Sequence, residues 1–208
     1  MTKAPVVWAP AVERLRADPA FGPLVEQVGP VRLRPPRGDP FQSLAAAIVY
    51  QQLAGKAALT IHGRVVQALG GDVRPETVLA APEEALRGAG LSRNKLASIR
   101  DLAEKTANGT LRLGDLPAME DQAVVDHLVQ VRGVGRWTAE MYLLFDLRRP
   151  DVWPVGDLGV RAGLGRVLGW SAPPTAQETE LIGIGYRPFR SAVAWFCWRA
   201  VEVLTPGG

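Results

Sequence analysis

The chain has few of the side chains that bind metals or form disulfides. Cys197 is its only cysteine, and its two histidines, His62 and His127, lie far apart in the 208-residue sequence. One cysteine excludes a disulfide within the chain and a four-cysteine zinc or iron–sulfur site. Two distant histidines do not favour a histidine-based metal site either. The sequence therefore excludes several classes of redox and zinc protein.

Long hydrophobic runs are also absent. One of the longest, LAAAIVY at residues 44–50, is far shorter than the roughly 20 apolar residues of a membrane-spanning helix. The N-terminal sequence MTKAPVVWAP has one lysine and no long apolar core, unlike a secretory signal peptide. We therefore expect a cytoplasmic protein with no membrane partner.

Lysine is scarce, whereas arginine is abundant. The chain has 24 basic residues, of which only four are lysine, against 21 acidic residues, for a net charge of +3. Arginine suits bidentate phosphate contacts, and a basic balance mildly favours an anionic partner. A genomic preference for arginine explains the same numbers equally well, so charge alone does not decide the function.

No stretch alternates apolar and polar residues as a half-buried strand does. Helix signals recur instead, and 47% of the residues are apolar, enough for a buried core. Asp39 and Ser92 are expected N-caps, and Thr175 with Glu178 forms a capping-box pattern. We predict an all-α fold, with an extended segment at 150–157. The predicted helices cover about 40–53, 55–69, 75–80, 82–88, 92–108, 120–130, 135–147, 157–168, 175–182 and 188–204.

The sequence VRGVGRWTAE at residues 131–140 places Gly133-Val134-Gly135 between two predicted helices. Glycine permits a tight turn and a close backbone approach. The N–H groups at the start of the second helix attract an anion, such as a DNA phosphate. A plain helical corner explains Gly-x-Gly alone, but the full pattern L-x-x-V-x-G-V-G-x-x-x-A favours binding to the DNA backbone.

A longer stretch, VRGVGRWTAEMYLLFDLRRPDVWPVGD, resembles the helix-hairpin-helix (HhH-GPD) DNA glycosylases. The similarity is greatest to their 3-methyladenine DNA glycosylase II (AlkA-type) branch. It includes DPFQSLAAAIVYQQLAGKAA and RPFRSAVAWFCWR and extends over roughly residues 11–204. The resemblance implies a two-lobed helical fold without the N-terminal β domain of some members. One lobe is expected at about 1–38 plus 150–208, and the other at about 39–149 with the hairpin at 128–139.

The resemblance implies a monofunctional glycosylase of base-excision repair. Such an enzyme flips 3-methyladenine or 7-methylguanine out of duplex DNA and hydrolyses the N-glycosidic bond, which leaves an abasic site. Asp157, 22 residues beyond Gly135, matches the catalytic aspartate of the family, whose carboxylate stabilises positive charge on the sugar. The alternative is a damaged-DNA-binding protein of this family that is catalytically silent or has a different specificity; in the silent case Asp157 is only a helix cap.

Strand-cutting relatives carry a lysine at the position of Trp137, and that lysine forms a Schiff base with the sugar. Tryptophan has no such amine, so no lyase activity is expected. Trp137 and Trp198 match base-pocket positions, although core packing explains each nearly as well. Met141 stands where the best-known members have tyrosine, which leaves the range of substrates open.

Further positions follow from the same resemblance. Gln52 matches the residue that is inserted into the duplex, and Leu53 is the adjacent candidate; the alternative is that both only end a helix. Arg190 and Ser191 match a structural pair, and Trp153 is expected to pack near the catalytic loop. The residues expected to contact DNA at the hairpin are Arg132, Gly133, Val134, Gly135, Arg136 and Thr138.

The expected partner is duplex DNA that contains alkylated bases, and the expected state is a monomer. No cofactor is expected apart from a structural Na⁺ or K⁺ at the hairpin. The backbone carbonyl groups of Val129, Val131 and Val134 are the expected ligands of that ion.

Overall fold

The computed structural model describes residues 8–33, 35, 39–53 and 55–204. These residues form helices joined by short turns, and they contain no strand, which confirms the all-α prediction. The helices are α1 (Ala9–Arg16), α2 (Gly22–Val28), α3 (Pro40–Tyr50), α4 (Gly55–Ala68), α5 (Pro75–Ala80), α6 (Glu83–Gly88), α7 (Arg93–Ala107), α8 (Asp121–Leu128), α9 (Arg136–Phe145), α10 (Leu158–Val167), α11 (Ala176–Ile184) and α12 (Arg190–Val203). A 3₁₀ helix, Leu113–Ala118, precedes α8. None of the described helices has both the length and the apolar character needed to cross a bilayer.

Side chains predicted as N-caps begin several of these helices. The Asp39 carboxylate accepts the Gln42 N–H at the start of α3, and Ser92 caps α7 in the same way. Thr175 and Glu178 form the predicted capping box of α11. The prediction missed α1, α2 and the 3₁₀ helix, which all begin without a side-chain cap hydrogen bond and so carry a weaker start signal.

The chain divides into two compact units. The first comprises the chain up to Pro35 and the chain from Arg148 onward, and the second spans Pro36–Leu147. The lobe boundaries predicted from the sequence lie near residues 38 and 150. Parts of the predicted first lobe, residues 1–7, 34, 36–38 and 205–208, lie outside the described residues.

In the first unit, α10 and α12 cross at close range. Gly163 permits this crossing, because a Cβ atom there would overlap the carbonyl oxygen of Cys197. Leu164 and Phe196, next to these two residues on the same helices, are completely buried. Burial also raises the pKa of the Cys197 thiol, so it stays protonated. The crossing fixes the position of α10, whose N-terminus carries Asp157.

In the second unit, α7 packs against α3 and α5. Leu96, Ile99 and Leu102 recur at helical spacing along α7, and all three are buried. Leu44 and Ile48 of α3 are buried as well. This packing places the turn that follows α3 beside α7.

Candidate active site and DNA-binding hairpin

Asp157 is the N-cap of α10, as its place in the sequence predicts. Its Oδ1 accepts the backbone N–H of Val160 at 2.8 Å and the indole N–H of Trp198 at 3.0 Å. The residue is 9% exposed, so the carboxylate is nearly buried. Two N–H donors on one oxygen fix the orientation of this carboxylate.

Gly159 makes room for the indole of Trp198 beside Asp157. A Cβ atom at Gly159 would lie 2.9 Å from Cδ1 of Trp198 and 3.1 Å from Oδ1 of Asp157. The sequence predicts Trp198 in a base pocket or in the core, and it indicates neither this hydrogen bond nor the role of Gly159. The only signal in the sequence was a glycine two residues after the capping aspartate.

The loop before Asp157 is held by the first residues of α12. The buried Ser191 hydroxyl donates to the carbonyl oxygen of Arg149 at 2.6 Å and accepts the N–H of Val152 at 2.8 Å. Arg190 pairs with Asp151 through Nε–Oδ1 at 2.7 Å and Nη2–Oδ2 at 2.8 Å. Arg190 and Ser191 therefore have the structural role expected from the sequence.

The segment 150–157 differs from its prediction as extended chain. It contains turns at residues 150–151 and 155–156, and the second is closed by a 2.9 Å hydrogen bond from the Asp157 N–H to the Pro154 carbonyl. Two prolines favour extended backbone locally, but the turn is needed to bring Asp157 to the start of α10. Trp153 is buried, and its indole N–H donates to the Thr179 carbonyl at 2.8 Å, which agrees with the expected packing role.

The hairpin turn joins α8 to α9. Gly133 adopts a φ of 74°, and a Cβ atom there would lie 2.5 Å from the Ser98 hydroxyl oxygen. Gly135 is the N-cap of α9, and a Cβ atom there would meet no described atom within 4 Å. Packing within this unit therefore requires glycine at 133, whereas glycine at 135 leaves the backbone open to an approaching ligand.

The side chains of the hairpin divide into an exposed and a buried set. Arg132 and Arg136 are exposed, whereas Val134 is buried between the two helices. Thr138, predicted among the DNA-contacting residues, is only 5% exposed, and its hydroxyl accepts a hydrogen bond from Gln51 at 3.4 Å. The Thr138 side chain therefore contacts the neighbouring turn rather than solvent.

That neighbouring turn, residues 51–53, is called the wedge loop below. It follows the end of α3 at Tyr50, so Gln52 and Leu53 lie in a turn rather than in the last turn of a helix. Gln52 is exposed and has a φ of 56°, in the left-handed region, whereas Leu53 is half-buried. Gln52 is thus the more accessible of the two predicted wedge residues.

A cavity of about 680 Å³ in the second unit adjoins the wedge loop. Trp137 lines it and is 48% exposed, so the core-packing interpretation is wrong for this tryptophan. Met141, one turn further along α9, lines the same cavity. The full lining is Ala47, Tyr50, Gln51, Gln52, Leu53, Gly133, Trp137, Thr138 and Met141.

The described residues contain no cluster of three or more His, Cys, Asp or Glu side chains able to hold a metal ion. The monovalent cation expected at the hairpin would instead use backbone carbonyl groups. The Val131 carbonyl accepts the Val134 N–H at 3.0 Å, which occupies one of its two lone pairs. Val129 is the C-cap of α8, where helix carbonyl groups lack intrahelical partners. Neutral carbonyl oxygens of this kind fit Na⁺ or K⁺.

Comparisons with known proteins agree with this geometry. DNA-3-methyladenine glycosylase 1 of Schizosaccharomyces pombe is 33% identical over 187 residues, which is 86% of this chain and 81% of the yeast protein. The structure of S. pombe 3-methyladenine DNA glycosylase (Mag1) in complex with abasic DNA superposes with a TM-score of 0.85 at 30% identity, over 94% of this chain and 98% of the other. A DNA-3-methyladenine glycosidase from Bacillus halodurans superposes with a TM-score of 0.83 at 35% identity, over 94% and 90% of the two chains. Residues 45–183 match the sequence profile of the HhH-GPD superfamily base excision DNA repair proteins. The chain belongs to this superfamily.

Proposed function

We propose that this protein is a monofunctional DNA glycosylase that removes alkylated purines, such as 3-methyladenine and 7-methylguanine, from duplex DNA and acts as a monomer. The observation that carries the proposal is Asp157 at the N-cap of α10, with its carboxylate oriented by Val160 and Trp198. The names of the S. pombe and B. halodurans relatives support the choice of substrate.

Asp157 acts on the deoxyribose of the flipped nucleotide. As the C1′–N bond breaks, its electron pair passes to the base, and positive charge develops on the sugar ring. The fixed carboxylate stabilises this charge and orients the water that attacks C1′, and it accepts a proton from that water. The products are an abasic site and a free base.

The leaving base needs no strong general acid. An N3- or N7-alkylated purine carries a positive charge before the reaction, and it becomes neutral when it takes the electron pair of the broken bond. One carboxylate therefore suffices, whereas sugar hydrolases use a pair. The indole of Trp137 offers a cation–π surface to such a base in the cavity that it shares with Met141.

The hairpin and the wedge loop hold the DNA. Arg132 and Arg136 are exposed beside Gly135, where a phosphate can approach the first N–H groups of α9. Gln52 fills the space that the flipped base leaves in the duplex, and its amide can pair with the orphaned base. Hairpin contacts give affinity for any duplex, whereas the cavity selects the damaged base.

We also propose that Na⁺ or K⁺ binds the carbonyl groups of Val129, Val131 and Val134. The cation would add positive charge at the turn where a phosphate approaches. Replacing K⁺ with tetramethylammonium at constant ionic strength should weaken binding to duplex DNA, because the larger ion does not fit among carbonyl groups. Equal affinity in the two salts contradicts a bound cation.

The decisive experiment compares the wild type with Asp157→Asn on methylated duplex DNA, with DNA binding measured alongside. Asp39→Asn is the matched control, because Asp39 caps α3 through the same hydrogen-bond geometry but lies outside the proposed chemistry. We expect the wild type and Asp39→Asn to release 3-methyladenine or 7-methylguanine, and Asp157→Asn to bind DNA without releasing a base. If the wild type binds DNA but releases no alkylated base, the protein is a damage-binding member of the family.

A further inference from the structure

Three polar residues of α7 contact the two turns that we propose to hold DNA. Lys95, Ser98 and Asp101 are spaced three residues apart, so they are neighbours along one side of the helix. Lys95 contacts the wedge loop, and Ser98 and Asp101 contact the hairpin. None of the three was singled out from the sequence.

Lys95 binds the C-terminal end of α3. Its Nζ donates to the carbonyl oxygens of Val49 and Gln51, each at 2.7 Å. The last carbonyl groups of a helix lack intrahelical partners and carry partial negative charge, so an ammonium group stabilises them. Partial burial lowers the pKa of Lys95, because desolvation disfavours the charged form of the ammonium group. Lys95 thereby fixes where α3 stops and where Gln52 begins to turn.

The hairpin is attached to the same helix by two further contacts. The Asp101 carboxylate accepts the backbone N–H of Arg132 at 2.7 Å and both oxygens also bind Lys105 at 2.6 Å. Burial opposes the ionised form, but Lys105 and the Arg132 N–H outweigh it, so the pKa of Asp101 lies below its usual value. Ser98 lies against Gly133, as its close approach to a Cβ atom there shows.

Gln51 links the two turns directly. Its side-chain amide donates to the carbonyl oxygen of Gly133 at 3.0 Å and to Thr138 Oγ1 at 3.4 Å. The backbone carbonyl of the same residue accepts the bond from Lys95. The contacts form a closed ring, which runs from α7 to the wedge loop, from there to the hairpin, and back to α7.

We propose that Lys95 is a positioning residue for base flipping, because it holds Gln52 at a fixed place relative to the hairpin that grips the backbone. Gln52 can enter the duplex at the damaged base pair only if its distance from the phosphate bound at the hairpin is fixed before the DNA binds. The inference rests on the proposed glycosylase function for its kinetic readout, but not for its binding readout. A misplacement of about 1 Å at such a contact can lower a rate by about a hundredfold.

The test uses Lys95→Met, which keeps the length of the side chain and removes both hydrogen bonds, and Lys95→Arg, which keeps the charge. Arg100→Met is the matched control: it also removes one positive charge and a bond to a carbonyl from α7, but its partners are Ala81 and Glu83. Each protein is assayed on two duplexes that carry one 7-methylguanine, opposite cytosine or opposite an abasic analogue. In the second duplex the 7-methylguanine has no pairing partner, so no base pair must be broken and base release depends less on insertion of Gln52.

We expect Lys95→Met to release the paired base about tenfold or more slowly, and the unpaired base at nearly the wild-type rate. Lys95→Arg should recover part of the lost rate on the paired duplex. Arg100→Met should change the rate of base release on the two duplexes by the same factor. Equal rates for Lys95→Met and the wild type on the paired duplex contradict the proposal. An equal loss on both duplexes contradicts it as well, since that result indicates general damage to the fold.

A second readout needs no catalysis. 2-Aminopurine placed opposite an abasic analogue becomes more fluorescent when an inserted side chain unstacks it. We expect wild-type binding to raise the fluorescence and Lys95→Met binding to leave it low, at equal occupancy of the duplex. The wild type could release no base and still raise the fluorescence, while Lys95→Met leaves it low. In that case the glycosylase proposal is wrong and the positioning role is supported. If the wild type does not raise the fluorescence, the positioning role is wrong.

Discussion

The backbone of Gly159 lies against the indole of Trp198, with room for a hydrogen atom but not for a methyl group. A Cβ atom at Gly159 would lie 2.9 Å from Cδ1 and 3.2 Å from Nε1 of Trp198. The same indole donates its N–H to Asp157 at 3.0 Å. The identity of residue 159 therefore decides whether the donor that orients the proposed catalytic carboxylate can reach it.

Gly159→Ala should slow base release without weakening DNA binding. The new methyl group displaces the indole, and the carboxylate loses one of its two N–H donors. Loss of a preorganised donor that contacts the transition state costs roughly a hundredfold to a thousandfold in rate, and we expect a smaller loss here because the indole acts through the carboxylate. Single-turnover base release and duplex affinity measure the two effects. Gly156→Ala is the control, because a Cβ atom at Gly156 meets no described atom within 4 Å. Equal rates for the two variants contradict the role given to Gly159.

Ser191→Ala should destabilise the loop that leads to Asp157. The buried hydroxyl satisfies the carbonyl of Arg149 and the N–H of Val152, and each buried group left without a partner costs about 1–3 kcal/mol. We expect a lower free energy of unfolding in urea and slower base release. The exposed Ser171→Ala is the matched control. A variant with wild-type stability shows that Ser191 does not hold the loop.

Gly163→Ala and Gly63→Ala should have opposite effects on stability. Alanine at 163 drives α10 away from the Cys197 carbonyl of α12. Overpacking typically costs about 1–3 kcal/mol, and we expect a loss at the upper end because the new methyl group would overlap backbone atoms. Gly63 lies exposed in α4 with no described atom within 4 Å of its Cβ position, so alanine there should stabilise the helix by about 0.5–1 kcal/mol. Thermal melting of the two variants shows whether each is less or more stable than the wild type. A stable Gly163→Ala protein contradicts the close crossing.

Most helices could be predicted because their signals are local. Asp39, Ser92 and the Thr175–Glu178 capping box each lie within four residues of the N–H groups that they satisfy, so a short window of sequence contains both partners. The position of Asp157 at the start of α10 could be predicted for the same reason. The helices α1 and α2 begin without such a cap and were missed.

The supports of the site could not be predicted, because they join residues far apart in the sequence. The bonds from Trp198 to Asp157 and from Lys95 to Gln51 span 41 and 44 residues. A lysine in a helix is normally a solvated side chain, so nothing local marks Lys95. The resemblance implied which residues act on the substrate, whereas the structure shows which residues contact those side chains and turns.

The wild-type protein should form no covalent adduct with DNA under sodium borohydride. Residue 137, at the start of α9, is a tryptophan, and its indole cannot form the Schiff base that borohydride reduces. Trp137→Lys places an amine in the cavity beside the wedge loop, and we expect it to give a trapped adduct on methylated duplex. Trp170→Lys adds the same charge at another half-exposed tryptophan and should trap nothing. An adduct with the wild type would show that another amine attacks the sugar, and the protein would then be a lyase as well as a glycosylase.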